Sequence, residues 1–312
     1  MGNDQRGVIF ILLAMILYTV QDSMFKLIAD QGSVPQVFVM RGIIGGILIT
    51  SYLAFSKRQI RISTAYPVRT ILRGLLFTSA YISFYCALPL MPLAEVMALF
   101  FVSPIFVSIF SVFFFKARIG LHRAAAIFAG FCGMLLVVKP DPEMFSWASL
   151  LPVYCAFAYS LSMLIAKQTS EKDTSFQQAL HMYLAAIIVG GLVSVLFSGS
   201  VWAEEPFLAF ILRPWQFELN FVLLASVIIS FAGSIAIALV ITAYRVADPS
   251  LIAPFEYLAL LLALLVGYFV FDEAVGLYSL LGMVLIVASG AYIFWREGVR
   301  KKPLAVETSL RN

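Results

Sequence analysis

Phe115-Lys116-Ala117-Arg118-Ile119-Gly120 and, 156 positions later, Phe271-Asp272-Glu273-Ala274-Val275-Gly276 each close an apolar run of about twenty residues. Both stretches begin on Phe and end on Gly, with a β-branched residue just before the Gly. Working outward at the same offset, residues 92–115 fall on residues 248–271, and Ala87-Leu88 falls on Ala243-Tyr244. Near the start of each half the offset is 141, so Tyr18 meets Tyr159 and Lys26 meets Lys167. The difference lies mostly in one long connection, residues 198–218. The chain therefore reads as two copies of one unit, residues 1–140 and 141–296, followed by a tail, 297–312.

The solvent of this unit follows from composition. The 312 residues are 62% hydrophobic and 12% charged, with a mean hydropathy of +0.97. A soluble domain is about half apolar and about a quarter charged, so most of this chain must face lipid. A spanning helix needs about 20 mostly apolar residues. Ten segments meet that need: 7–28, 35–55, 68–88, 94–115, 122–139, 147–166, 178–198, 219–243, 250–271 and 277–295. The first run follows Arg6 like a leader, but it continues through Gln21, Asp22 and Lys26 without a small-residue cleavage site, and it reads as a retained span. Phe207–Leu212, flanked by Trp202 and Trp215, is too short to cross and is expected to lie at the interface.

Net charge is only +4. No basic run or aromatic-plus-basic stripe supports a nucleic-acid partner. Cys86, Cys132 and Cys155 stand singly in apolar runs, which suits packing better than a disulfide framework or a metal site. No cofactor or metal is expected.

Sidedness follows from Lys and Arg. With the N-terminus cytoplasmic, 16 of the 21 basic residues fall on cytoplasmic segments, against Lys139 and Arg213 outside. That is a positive-inside pattern with both termini cytoplasmic. Each half holds five spans, an odd number, so the halves cross in opposite senses. The expected fold is an all-α polytopic membrane protein of ten transmembrane helices arranged as two inverted five-helix repeats. Inverted repeats let one scaffold adopt two states, each open to one side.

At this point the chain resembles the EamA-type branch of the drug/metabolite transporter superfamily. The resemblance rests on the ten-span pattern and on a signature present twice. The first copy is Ala87-Leu88-Pro89-Leu90-Met91-Pro92-Leu93-Ala94-Glu95, then Ser103-Pro104-Ile105-Phe106, then Phe115-Lys116-Ala117-Arg118-Ile119. The second is Ala243-Tyr244, Asp248-Pro249-Ser250 and Phe271-Asp272-Glu273. The family pattern closes span four with a basic–Glu–Arg or Gly-Glu-Arg turn. Here the first copy lacks the acid and the second lacks the base. Ala253-Pro254-Phe255-Glu256-Tyr257-Leu258 is similar to the subgroup that includes S-adenosylmethionine and riboflavin uptake carriers. The resemblance implies a carrier of the bacterial inner membrane with a central cavity between the halves.

Charges inside hydrocarbon cost about 2.5–3.5 kcal/mol each on insertion scales, so those present are candidates for function. Span one carries Gln21, Asp22 and Lys26. Asp22 lies on the order of 9 Å below the outer helix end, and Arg41 enters span two to a similar depth. An Asp22–Arg41 pair can be a substrate or proton site, or an ion pair locking two spans, with Lys26 snorkelling outward. Glu95 opens span four, as a cation-binding group or as a helix N-terminal charge favoured by the dipole. Glu256 lies deeper, in span nine beside Pro254 and Tyr257. Asp22 and Glu256 are the candidates for carrying a coupling proton. Tyr81, Tyr85 and Tyr159 can stack on a flat or cationic ligand or pack between helices. Pro104 and Pro254 interrupt equivalent spans at different positions. His181 and Arg73 read as interfacial, Arg73 by snorkelling. Gly42 and Gly46, with Gly130 and Gly133, read as close-packing residues.

The leading expectation is a secondary transporter of a small organic metabolite, either monomeric or homodimeric, in contact with lipid and substrate. An amino-acid or drug exporter of the same fold stands beside it. A membrane-embedded lipid-modifying enzyme needs a cluster of catalytic side chains at one interface, and the sequence offers none. A channel has no need of inverted repeats. No GxxxxGK[ST] loop supports ATP drive.

Overall fold

The computed structural model describes residues 3–57, 59–115, 121–138, 146–197, 206–218, 220–246 and 253–299. Among them are twelve α-helices and no strand: α1 (Asn3–Leu27), α2 (Val34–Phe55), α3 (Pro67–Ala87), α4 (Leu93–Phe100), α5 (Ser103–Phe115), α6 (Leu121–Val138), α7 (Leu150–Thr169), α8 (Ser175–Phe197), α9 (Pro206–Leu212), α10 (Phe221–Val246), α11 (Leu258–Phe271) and α12 (Leu277–Val299). Six stretches are long and apolar enough to cross a membrane, and four shorter apolar helices, Leu93–Val107, Ala124–Val138, Phe255–Phe271 and Leu277–Tyr292, complete the ten expected runs. Large apolar side chains such as Ile47, Phe113, Phe128, Val195, Phe269 and Val284 face outward, as a lipid solvent allows.

Local chemistry sets the helix ends. Pro35 and Pro67 sit in the first turns of α2 and α3, where a missing N–H costs nothing. Pro104 has no N–H for the carbonyl four residues earlier, and the helix breaks at Phe101-Val102 between α4 and α5. In the second copy a 3-10 stretch, Ala253–Tyr257, precedes α11. The 156-residue offset places Phe101 on Tyr257, so the two breaks coincide although the prolines do not. The two rings also meet, with centroids 5.1 Å apart. At the end of α11, Asp272 adopts a left-handed conformation with φ 52°, and the Glu273 N–H donates to the Gly267 carbonyl over 2.9 Å. This reversal turns the Glu273 side chain back toward the bundle.

Packing carries the repeat further. α1 packs along α10, α3 along α7, α2 along α8, α6 along α12, and α4 meets α11. Matching α1 with α7, α2 with α8, α3 with α10, α4 and α5 with α11, and α6 with α12 turns the α1–α10 pair into the α7–α3 pair. The remaining pairs map onto themselves. Of the two expected packing glycines on α2, Gly42 lies against Ile187 and the Tyr183 carbonyl, whereas Gly46 faces open space. Gly130 and Gly133 on α6 meet Ser289 and Gly282 of α12 as expected.

The Phe207–Leu212 stretch, too short to cross, packs against the bundle near the end of α1. It forms α9, and Ala209, Phe210 and Leu212 are buried. The Phe210 ring meets Phe25 edge-on at 6.5 Å.

Candidate functional site

A cavity lies between the halves and has two adjoining chambers. The larger, about 290 Å³, is lined by Arg41, Arg73, Phe77, Thr78, Tyr183 and others, and reaches Ser175 and Gln178 at the start of α8. The smaller, about 130 Å³, is lined by Gln21, Asp22, Glu256, Phe84, Phe100 and Met97 among others. Tyr18, Tyr81 and Tyr159 line both chambers and divide them. On α3, Arg73, Phe77 and Tyr81 recur at helical spacing, so one face of this helix supplies much of the wall.

The chambers differ in charge. Among the described residues, the charged side chains of the larger chamber are both arginines, and those of the smaller are both carboxylates. The boundary is held by Tyr85, which is fully buried and stacked on Phe25 at 3.6 Å between ring centroids. Its hydroxyl accepts from Gln21 Nε2 at 2.7 Å and from Arg41 Nη1 at 3.3 Å. Gln21 Nε2 also donates to Asp22 Oδ1 at 3.0 Å. Asp22 and Arg41, both buried, are thus linked through an amide and a phenol rather than as a direct ion pair. Gly233 of α10 makes room for this junction. A Cβ there would run into Gln21 Oε1 and the Arg41 guanidinium.

Gln21, Asp22, Arg41, Tyr81, Tyr159 and Glu256 therefore come together, and Tyr85 joins them as a buried support rather than as a wall. Glu95 and Tyr257 do not line these chambers. Glu95 is buried in α4 and accepts a hydrogen bond from Ser279. Tyr257 lines a groove with α11 and α12 residues such as Leu260 and Met283. His181 uses Nε2 to donate to the Ile62 carbonyl at 2.7 Å, a tie to the α2–α3 connection. Ser162 donates to the Arg73 carbonyl at 3.3 Å.

Two expectations are corrected. Arg73 does not snorkel outward. It is 8% exposed and lines the larger chamber, because α3 packs that face against α7 and α8. Lys26 also turns inward. It forms an ion pair with Glu273 and donates to the Leu88 and Met91 carbonyls at 2.7 Å each. Glu273 Oε2 accepts from the Leu93 N–H at 2.9 Å. One carboxylate thus ties the end of α1 and the start of α4 to the end of α11. Sequence reading passed over Tyr18, Gly233 and Glu273. The signal for Glu273 was present, since it is the acid that appears in one copy of the repeat and is missing from the other.

Residues 5–139 match the EamA-like transporter family. A protein of Rickettsia bellii named S-adenosylmethionine uptake transporter is 25% identical over 93% of this chain and 94% of its own length. A riboflavin transporter of Rhizobium johnstonii is 28% identical over 77% of this chain and 74% of its own. A solved crystal structure superposes with a TM-score of 0.64 over 95% of this chain and 98% of its own, at 17% identity, and shares the fold.

Proposed function

From the premise that this chain is an EamA-type member of the drug/metabolite transporter superfamily, we propose that it is a secondary carrier of a small organic metabolite in the bacterial inner membrane. The two halves are inverted five-span repeats with both termini cytoplasmic, and the cavity between them opens to one side at a time. The observation that supports this reading is the cavity itself: two chambers sharing Tyr18, Tyr81 and Tyr159, lined by residues of both halves and reaching Ser175 at the start of α8. The self-mapping of the helix pairs supports the repeat, and the charge pattern of the connections supports the sidedness. Under that sidedness the Ser175 end of the cavity lies on the cytoplasmic side. Binding energy from a cargo touching both halves shifts the balance between the two states.

Asp22 and Glu256 line the smaller chamber and are the groups able to carry a coupling proton alongside the cargo. Proteoliposomes test the reading, with S-adenosylmethionine and riboflavin as probes. A carrier gives saturable uptake accelerated by the same probe inside. Flux that rises linearly without saturation indicates a channel, and a chemically altered probe indicates an enzyme. Asp22→Asn and Glu256→Gln are each expected to lower uptake at least tenfold, with unchanged amounts of folded protein in the membrane. Full uptake in both variants removes them from the site.

A further inference from the structure

Leu72, Leu75, Leu76, Ser79, Ile82 and Ser83 of α3 recur three and four residues apart and floor an apolar groove of about 570 Å³, separate from the two chambers. Val189 and Val193 of α8 and Tyr154 of α7 wall it, and Ile211 of α9 joins them. Leu72 and Leu75 are exposed, so the groove opens toward lipid. From Leu72 to Cys86 it follows α3 for about 21 Å. Spread over that length, the volume gives a slot roughly 5 Å across, about half the width of a helix. A helix of a second copy is too wide to enter it, whereas a hydrocarbon chain fits. The hydroxyls of the slot are spent within the protein. Ser79 donates to the Leu76 carbonyl at 3.1 Å and stands 3.0 Å from the Tyr154 hydroxyl, and Ser83 donates to the Leu151 carbonyl at 2.9 Å. A guest therefore gains there by dispersion contact rather than by hydrogen bonds.

One turn before Leu72 the same helix carries Arg69, whose guanidinium lies 5.5 Å from the Tyr66 ring centroid. The Lys172 ammonium, from the connection between α7 and α8, lies 6.0 Å from the same ring. Both cations are exposed, and neither has a carboxylate partner among the described residues. Of the acids beside them, Glu171 is exposed, and Asp173 is buried and accepts from the Thr64 hydroxyl and the Ala65 N–H. Two cations gathered at one ring repel each other and favour an anion close by. A tyrosine ring at the start of a spanning helix sits at headgroup depth, and a guanidinium fork matches a phosphate. We infer that this face holds one anionic phospholipid, with an acyl chain in the groove along α3 and its phosphate at Arg69 and Lys172. Lys172 lies three residues before Ser175, so the lipid belongs to the leaflet at that end, the cytoplasmic one under the sidedness proposed above. The inference goes beyond the carrier reading and needs only a bilayer around the helices.

The test uses the full-length protein purified in detergent, with bound lipid read by native mass spectrometry. Dioleoylphosphatidylglycerol and dioleoylphosphatidylcholine share their chains and differ in net charge. The first is expected to bind at least fivefold more tightly. Glycerol 3-phosphate, the anion without the chains, is expected not to compete at equal concentration. Arg69→Gln combined with Lys172→Gln is expected to erase the preference and leave phosphatidylcholine binding unchanged. Ser79→Phe fills the slot and is expected to weaken both lipids at least fivefold. Where that variant folds poorly, the wild-type protein decides, with a phosphatidylglycerol carrying a photoreactive diazirine at the end of one chain. Adducts are expected on the peptides that carry Ile82 and Val193. Adducts spread evenly over the lipid-facing helices overturn the proposal. Equal binding of the two lipids, or displacement by glycerol 3-phosphate, overturns it as well. A dimer that Ser79→Phe dissociates assigns the groove to a second copy and overturns it too.

Discussion

The two ends of the bundle carry the same device, a connection tied across the start of a helix. At one end, residues 213–218 lie across the start of α2. Gln36 Nε2 donates to the Gln216 carbonyl at 2.6 Å, and the Gln216 N–H donates back to Gln36 Oε1 at 3.0 Å. Arg213 reaches the Ala29 carbonyl, and Trp215 donates to Ser194 at 2.6 Å. At the other end, residues 62–65 lie across the start of α8. Gln177 Nε2 donates to the Ser63 carbonyl, and Asp173 accepts from the Thr64 hydroxyl at 2.5 Å and the Ala65 N–H at 3.4 Å. Gln36 and Gln177 are separated by 141 residues, the same offset that relates Tyr18 to Tyr159. At that offset they are counterparts, each tying down one connection.

What differs is the ion pair. Lys26 has its repeat counterpart in Lys167, but Glu273 falls on Ala117, which has no carboxylate to offer. Both ends are strapped, and among the described residues the Lys26 end adds the Lys26–Glu273 ion pair. A symmetric repeat favours its two states equally. On the carrier reading proposed above, an acid present in one copy and absent from the other favours the state closed at the Lys26 end.

The largest break in this comparison comes from Glu273→Gln. Removing one partner of a mostly buried ion pair costs about 3–5 kcal/mol. The lower part of that range is expected, because Lys26 keeps its two carbonyl acceptors. With Met97→Cys as a reporter in the smaller chamber, and the three native cysteines replaced by Ala, thiol labelling from the Lys26 side is expected to speed up at least tenfold. An unchanged rate means the ion pair is not a latch.

Moving the acid from one copy to the other, as Glu273→Ala with Ala117→Glu, sharpens the comparison. The bias is expected to reverse, with faster labelling of Met97→Cys from the Lys26 side and slower labelling from the other. If both sides keep their original rates, the difference between the copies does not set the balance.

The smallest effect concerns the straps. Gln36→Leu and Gln177→Leu each remove side-chain hydrogen bonds to a connection, each bond being worth about 0.5–1.5 kcal/mol. The two losses in thermal stability are expected to match within a factor of two. A large loss from one and none from the other would show that the straps are not equivalent.

Much of the architecture was legible before any coordinates. Segment length and hydropathy marked ten helical runs, and the offset of 156 aligned the helix breaks at Phe101 and Tyr257 that the unaligned prolines obscured. The site was legible only in part. Asp22, Arg41, Tyr81, Tyr159 and Glu256 were found because polar or charged residues stand out in apolar runs. The same rule drew in Glu95 and Tyr257, which lie elsewhere, and dismissed Arg73, which lines the cavity.

The sequence by itself determined which segments are helical, how the two copies register, and how deep each charge lies along its helix, because rise per residue and the cost of burying charge are local properties. Only the tertiary structure decided which way each charge faces. Helices apolar on every side carry little periodicity to mark an inner face, so rotation about the axis is set by the helices packed against them. Neighbours from the other half of the chain turned Arg73 into the cavity and brought Lys26 to Glu273, while Gln21 and Tyr85 of the same half hold Asp22 apart from Arg41.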